Sequence, residues 1–201
     1  MGLSTELLVV RHGQTEWNAS RRIQGHLDTE LSELGCDQVK EVAASLAKEH
    51  LDAIYSSDLK RARHSAKPLA ALKNITPILR PALREWHMGH FQGLTHEEAR
   101  EKYPDSFAQL IKFDTSFAVP GGETHQQFDD RYMEELFLIA KAHAGGRVAV
   151  FTHGGVVLGL LRAAQDKAFG SDKFPIPNAS VTRVRCAFSQ SKPVWSLIPN
   201  P

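Results

Sequence analysis

Two short runs of uninterrupted apolar residues stand out from an otherwise mixed chain, Leu7 to Val10 and Val148 to Phe151. Each stops abruptly at polar residues, the first at Arg11-His12-Gly13 and the second at Thr152-His153-Gly154-Gly155. A strand covered on both faces shows no polar alternation. In an open α/β sheet, the carboxyl end of such a strand is the edge at which ligands bind.

Helical spacing fills much of the interval between the two runs. Leu31-Ser32-Glu33-Leu34-Gly35 opens a pattern in which Val39, Val42, Leu46 and Ala47 share one face until Leu51. Ala53 to Tyr55 reads as a strand. Asp58 is a plausible N-cap for a helix passing through Arg61, Ala62 and Ser65 to about Leu72. Ile75 to Leu79 is a weaker strand candidate, and Leu83 to Thr95, with Gly89 and Gly93 and no clean period, reads as a loop.

Thr95 to Tyr103 and Asp105 to Phe113 predict two short helices separated by Pro104. Val119 to Gly122 reads as a turn and Glu123 to His143 as a longer helix. A further helix follows the second apolar run, to about Ala164. Pro175 and Pro177 mark a loop before two final strands, Ala179 to Cys186 and Pro193 to Ile198. The alternation of strand and helix predicts an α/β fold in three layers, a mostly parallel central sheet with helices on both faces. No repeat, low-complexity tract or linker divides the chain, so residues 1–201 are expected to form a single domain, large enough for a core without disulfides or metals.

Composition narrows the partners. Lys plus Arg number 24 against 23 Asp plus Glu, which gives no reason to expect nucleic acid or an anionic membrane. Cys36 and Cys186 are far apart, belong to no metal-binding spacing, and are expected to be buried thiols. No apolar run reaches the roughly eighteen residues of a bilayer span, and Met1 to Glu6 lack the pattern of a signal peptide. The expectation is a cytoplasmic protein without a metal or cofactor. Its oligomeric state is not legible, and a homodimer is compatible with the sequence.

The chemistry lies at the two strand ends. Parallel neighbours would bring His12 and His153 to one sheet edge, facing one pocket. A glycine after each histidine lets the backbone pass close to a ligand, and Arg11 adds a charged fork suited to phosphate oxygens. Taken alone, either His-Gly pair reads first as a solvated or core histidine at a strand end.

The segment Arg11-His12-Gly13-Gln14-Thr15-Glu16-Trp17-Asn18 resembles the signature of the histidine phosphatase superfamily, which includes the cofactor-dependent phosphoglycerate mutases, with matches at Arg11, His12, Gly13, Thr15 and Asn18. The likeness continues in order through Ser56 to Ala62, Leu83-Arg84-Glu85 followed by Gly89 and Gly93, and Thr152 to Gly155. One departure is Phe91-Gln92-Gly93, where the family often has Trp-Glu-Gly. The resemblance implies a phosphoglycerate mutase-like fold. It makes His12 the nucleophile, Arg61 a second phosphate-binding arginine, Glu85 the acidic proton donor and His153 the second histidine.

The residue types suit phosphoryl transfer. Arg11, Arg61, His153 and the Asn18 amide would grip a phosphate as its charge redistributes, and a neutral His12 with its other ring nitrogen on a backbone carbonyl can form a covalent adduct. Glu85 would protonate the leaving oxygen. By the residues alone, Arg61 reads first as a surface helix arginine, and Glu97, Glu98, Glu101 and Glu123 compete with Glu85, Glu123 also as a carboxylate at the start of its helix.

Gln24, Gly25 and Gly154 are expected to contact substrate, and Arg21 and Arg22 either contact it or are solvated. His26 and His90 lie in segments that could line the mouth, and Trp17 and Phe91 pack either the rim or the core. The expected activity is hydrolysis of a small phosphorylated substrate. The alternatives are mutase-type transfer or a non-catalytic phospho-ligand module. Only 35 residues separate Glu85 from Gly121, shorter than in mutase-like members, and Ile23-Gln24-Gly25 resembles the phosphatase branch.

Overall fold

The computed structural model describes residues 4–167, 176–188 and 193–199. Met1 to Leu3 and Pro175 therefore lie outside the described residues. One six-stranded sheet organises the rest. Its strands are β1 (Ser4–Arg11), β2 (Ala53–Ser56), β3 (Ile78–Leu79), β4 (Arg147–Thr152), β5 (Val181–Phe188) and β6 (Pro193–Leu197), in the order β3-β2-β4-β1-β5-β6. β1 to β4 run parallel to one another, and β5 alone runs against them, pairing antiparallel with β1 on one side and β6 on the other, so the sheet is mostly parallel.

The apolar runs occupy the middle of this sheet because both of their faces are covered. Leu7 and Val9 point to one side, where they meet Phe128, Tyr132 and Leu136 of α6 (His125–Ala142) and Val156, Val157 and Leu160 of α7 (Gly154–Gln165). Leu8 and Val10 point to the other, against Val42 and Ala43 of α2 (Glu33–Ser45) and Ala66, Leu69 and Ala70 of α3 (Lys60–Lys73). Each Leu or Val fully removed from water in this way stabilises the fold by about 1.5–3 kcal/mol. A third cluster (Met88, Phe91, Ala99, Phe107 and Val119) joins the loop after β3 to α4 (His96–Lys102) and α5 (Pro104–Leu110).

Several local expectations are corrected. The short helix α1 (Glu16–Ala19) has no buried residue and so left no apolar pattern; its Thr15 and Asn18 form a capping box. Asp58 does not cap α3, whose N-cap is Leu59; its carboxylate instead binds Arg84 Nε and Nη2 at 2.7 and 2.5 Å. α2 ends at Ser45 rather than near Leu51. Ala179, at φ +57°, precedes β5 rather than belonging to it. The Leu83–Thr95 loop contains one 3-10 turn and follows directly on another.

Cys36 is exposed, because the buried face of α2 runs through Gly35, Val39, Val42 and Ala43, one residue out of phase with it; Cys186 is buried as expected. Among the described residues no helix is long and apolar enough to cross a membrane.

Candidate active site

β1 and β4 pair in parallel with Arg11 opposite Thr152, and the His12 amide extends the ladder by donating to Thr152 O at 2.9 Å. The next residues, His12 and His153, therefore stand level at the carboxyl edge. Their rings lie 5.3 Å apart, edge to face, and are 2% and 0% exposed.

His12 Nδ1 is 2.7 Å from Gly13 O. A carbonyl only accepts, so Nδ1 carries the proton and Nε2 keeps its lone pair. Burial, followed by the charges of Arg61 and Arg11, holds His12 well below the ordinary imidazole range. The ring is thus neutral at neutral pH, as a nucleophile must be. His153 is held neutral by the same causes, burial first and then Arg61, and its Nε2 lies 2.8 Å from Ser57 Oγ.

Arg61, 1% exposed, reaches in from the first turn of α3. Its Nη1 and Nη2 donate to Leu27 O and Gly25 O at 2.8 and 2.7 Å. Burial lowers its pKa to about 10, partly offset by Glu85, which leaves it cationic at neutral pH. Arg11 Nη1 donates to Ile176 O, and burial lowers this guanidinium too. Arg11 Nε, Arg61 Nε and His153 Nδ1 are buried with no protein partner. An unsatisfied buried polar atom costs about 1–3 kcal/mol, and the two guanidinium Nε–H groups, on residues that line one cavity with His12, are donors that the oxygens of an anion can satisfy.

Glu85 enters from the loop after β3. Its Oε1 accepts the Trp86 N–H at 2.9 Å and its Oε2 accepts the Gly155 N–H at 3.0 Å, in the first turn of α7. It is the one carboxylate among the described residues lining a cavity of about 540 Å³ that also contains Arg11, His12, Asn18, Gln24, Gly25, Arg61 and Gly155. Trp86, Met88, Phe107, Leu110, Ile111 and Phe113 form an apolar wall leading outward, and Ile111 and Phe113 are more than half exposed.

The five expected catalytic residues therefore converge: Arg11, His12, Arg61 and Glu85 line the cavity, and His153 packs beside His12. Asn18, Gln24 and Gly25 line it as expected. Asn18 Oδ1 already accepts from Thr15 and Asn178, so only its amide N–H2 remains to donate to a ligand. Gly154 does not line the cavity; a side chain there would press on Arg11 Nε, and its neighbour Gly155 forms the wall.

Of the competing acids, Glu98 pairs with Arg22 and Glu123 with Arg131, while Glu97 and Glu101 are exposed on α4. Glu123 does not cap α6, whose N-cap is Thr124. Arg22 lines the cavity while paired; Arg21, at φ +55°, is exposed and does not. His26 and His90 do not reach the mouth. His26 Nε2 donates to Glu85 O at 2.7 Å and His90 stacks on Tyr103. Phe91 is core, and Trp17 packs over Gly93.

Sequence reasoning missed Ser57 and Asn178 as supports. Ser57 sits inside a segment already singled out, but Asn178, which donates to His12 O at 3.2 Å, carries no local signal.

The sequence and the fold both have relatives among known proteins. The sequence profile of the histidine phosphatase superfamily (branch 1) matches residues 7–197. A metal-independent phosphoserine phosphatase of Arabidopsis thaliana is 41% identical over 184 residues, 90% of this chain and 76% of that protein. A phosphoglycerate mutase-like protein 4 of the same plant is 39% identical over 94% of this chain and 84% of its own length. The solved structure of a mycobacterial glucosyl-3-phosphoglycerate phosphatase superposes with a TM-score of 0.84 at 31% identity, covering 96% of this chain and 97% of the other.

Proposed function

We propose, from the premise that this chain belongs to the histidine phosphatase superfamily, that it is a metal-independent phosphomonoesterase acting on a small phosphorylated substrate through a phosphohistidine at His12. The observation that carries this reading is the neutral, buried His12 set among three unpartnered buried nitrogens, with the Glu85 carboxylate across the same cavity.

The ester phosphoryl group docks on Arg11, Arg61, His153 and the Asn18 amide. His12 Nε2 attacks phosphorus in line; the new P–N bond forms as the ester P–O bond breaks, and the leaving oxygen takes the proton of Glu85. Such proton donation is worth about 10²–10⁴ in rate for an alkoxide. Glu85, now a carboxylate, removes a proton from water, whose oxygen attacks phosphorus. The P–N bond breaks and restores neutral His12 and inorganic phosphate. The two arginines balance the phosphoryl charge in both halves.

Hydrolysis is favoured over transfer to a second hydroxyl because Ile111 and Phe113, at the outer wall, stand in solvent. We read residues 1–201 as one catalytic domain. A cytoplasmic setting fits two free thiols, one of them exposed.

The test is an assay of wild type and His12→Ala in excess EDTA against p-nitrophenyl phosphate, phosphoserine and 3-phosphoglycerate, following phosphate and 2-phosphoglycerate. Phosphate release by wild type alone is expected. Isomerisation without phosphate release replaces the reading with a mutase, and no turnover by a folded wild type replaces it with a phosphate-binding role.

A further inference from the structure

The segment that carries Glu85 is held by its backbone. Arg131 reaches up from α6 and donates through Nη1 to Ala82 O at 2.8 Å and Arg84 O at 3.0 Å, and through Nη2 to Glu85 O at 3.2 Å. Thr152 Oγ1 donates to the intervening Leu83 O at 2.8 Å, and His26 Nε2 gives Glu85 O its second donor. Four consecutive carbonyls, 82 to 85, are thus captured from inside the protein, one of them by the residue that immediately precedes His153.

The guanidinium is itself fixed. Glu123 Oε1 and Oε2 accept from Arg131 Nη2 and Nε at 2.5 and 3.2 Å. Glu123 also ties down the far side of the loop, through the His87 N–H on its carboxylate and Trp86 Nε1–H on its carbonyl, both at 2.9 Å. A planar guanidinium offers five donors in one rigid fork, which is what several converging acceptors require. Neither Arg131 nor Glu123 lines the cavity.

We propose that Arg131, oriented by Glu123, is a positioning residue for proton transfer: it fixes the backbone of Glu85 so that the carboxyl group meets the leaving oxygen. The inference rests on Glu85 being the acid. A displacement of about 1 Å in a positioned group can cost roughly 10²-fold in rate, and that cost falls where a proton is needed. An alkyl phosphate, whose alkoxide must be protonated, depends on the placement of Glu85. p-Nitrophenyl phosphate, with its stable phenolate, depends on it far less.

The experiment compares wild type, Arg131→Met, Arg131→Lys, Glu85→Gln and the double variant Glu85→Gln/Arg131→Met on an alkyl phosphate and on p-nitrophenyl phosphate. Arg131→Met is expected to lower kcat/KM, which reports the phosphorylation half-reaction alone, on the alkyl ester by roughly 10–100-fold and on the nitrophenyl ester by less than about fivefold. Arg131→Lys recovers part of the loss. In the Glu85→Gln background, Arg131→Met adds little further loss on the alkyl ester, because its effect runs through Glu85. If Arg131→Met does not fold, Glu123→Gln, which keeps the arginine and weakens its anchor, is expected to show the same ester selectivity at smaller size. Equal losses on both esters, or additivity with Glu85→Gln, while Glu85→Gln itself remains selective, overturn the inference and leave Glu85 as the acid. A Glu85→Gln that loses kcat/KM equally on both esters removes the acid assignment and this inference with it.

Discussion

The Gly155 N–H donates to Glu85 Oε2 at 3.0 Å, so the first turn of α7 is also the seat of the proposed acid. A methyl group on Gly155 would overlap Glu85 Oε1 and come within 3.1 Å of Phe128 Cζ, a buried ring with little room to yield. Gly155→Ala should therefore displace the carboxylate. Because alanine favours the helix by up to about 1 kcal/mol, thermal unfolding should show stability within about that amount of wild type. The kcat/KM for an alkyl phosphate should nevertheless fall roughly 10–100-fold, with a smaller loss on p-nitrophenyl phosphate. An unchanged kcat/KM would mean that the carboxylate need not sit on Gly155.

Three histidines, His12 and His153 buried and His26 half-buried, contribute to the acid limb of stability. His12 and His153 are held well below the ordinary range, mainly by burial, and His26 is lowered to about 4, also chiefly by burial. Below pH about 6.5 the unfolded chain binds protons at these sites that the folded chain refuses. Their contribution is present above that pH and is lost as pH falls, for His26 through the window from about 6.5 to about 4. Denaturant unfolding at several pH values should show stability falling through this window. His26→Asn should flatten the slope. Equal slopes in the two proteins would mean that His26 is not depressed.

Ser57 is the protein partner of His153 Nε2, at 2.8 Å in a fully buried setting. Removing that hydroxyl leaves the ring nitrogen unpaired, at a cost of about 1–3 kcal/mol, and frees the ring tautomer. Ser57→Ala should be less stable by that amount, and its His153 side-chain nitrogen shifts should report a changed tautomer by NMR. A single unchanged tautomer would assign the control to another group.

Much of this arrangement was legible in the sequence because it is local or periodic. Leu7–Val10 and Val148–Phe151 have no polar alternation, since α6 and α7 cover one face and α2 and α3 the other, and their ends point to the edge where His12 and His153 meet. What escaped was set by partners distant in sequence. Asp58 has the right type and place for a helix cap, but Arg84 takes its carboxylate; Glu123 is drawn to Arg131 and His87. Asn178 has no signal around it that would associate it with His12. Gly154 and Gly155 look interchangeable in sequence, and only the start of α7 decides that one packs on Arg11 and the other meets the cavity.

The outer wall provides a check on substrate fit. Ile111 lines the cavity mouth while 56% exposed, so Ile111→Ser should change stability by no more than about 0.5 kcal/mol. It should raise KM for an aryl phosphate by a few-fold at nearly constant kcat, as loss of uniform binding does. A fall in kcat at constant KM would place Ile111 in the chemistry instead.

The central claim is the covalent bond to His12, and acid-labile, base-stable protein phosphorylation tests it most directly. Wild type mixed with excess substrate and quenched in alkali within the first turnovers should carry one phosphoryl group, mapped by mass spectrometry to the peptide containing His12. His12→Ala should carry none. Rapid phosphate release by wild type with no adduct at any quench time, or an adduct that persists in His12→Ala, contradicts the account.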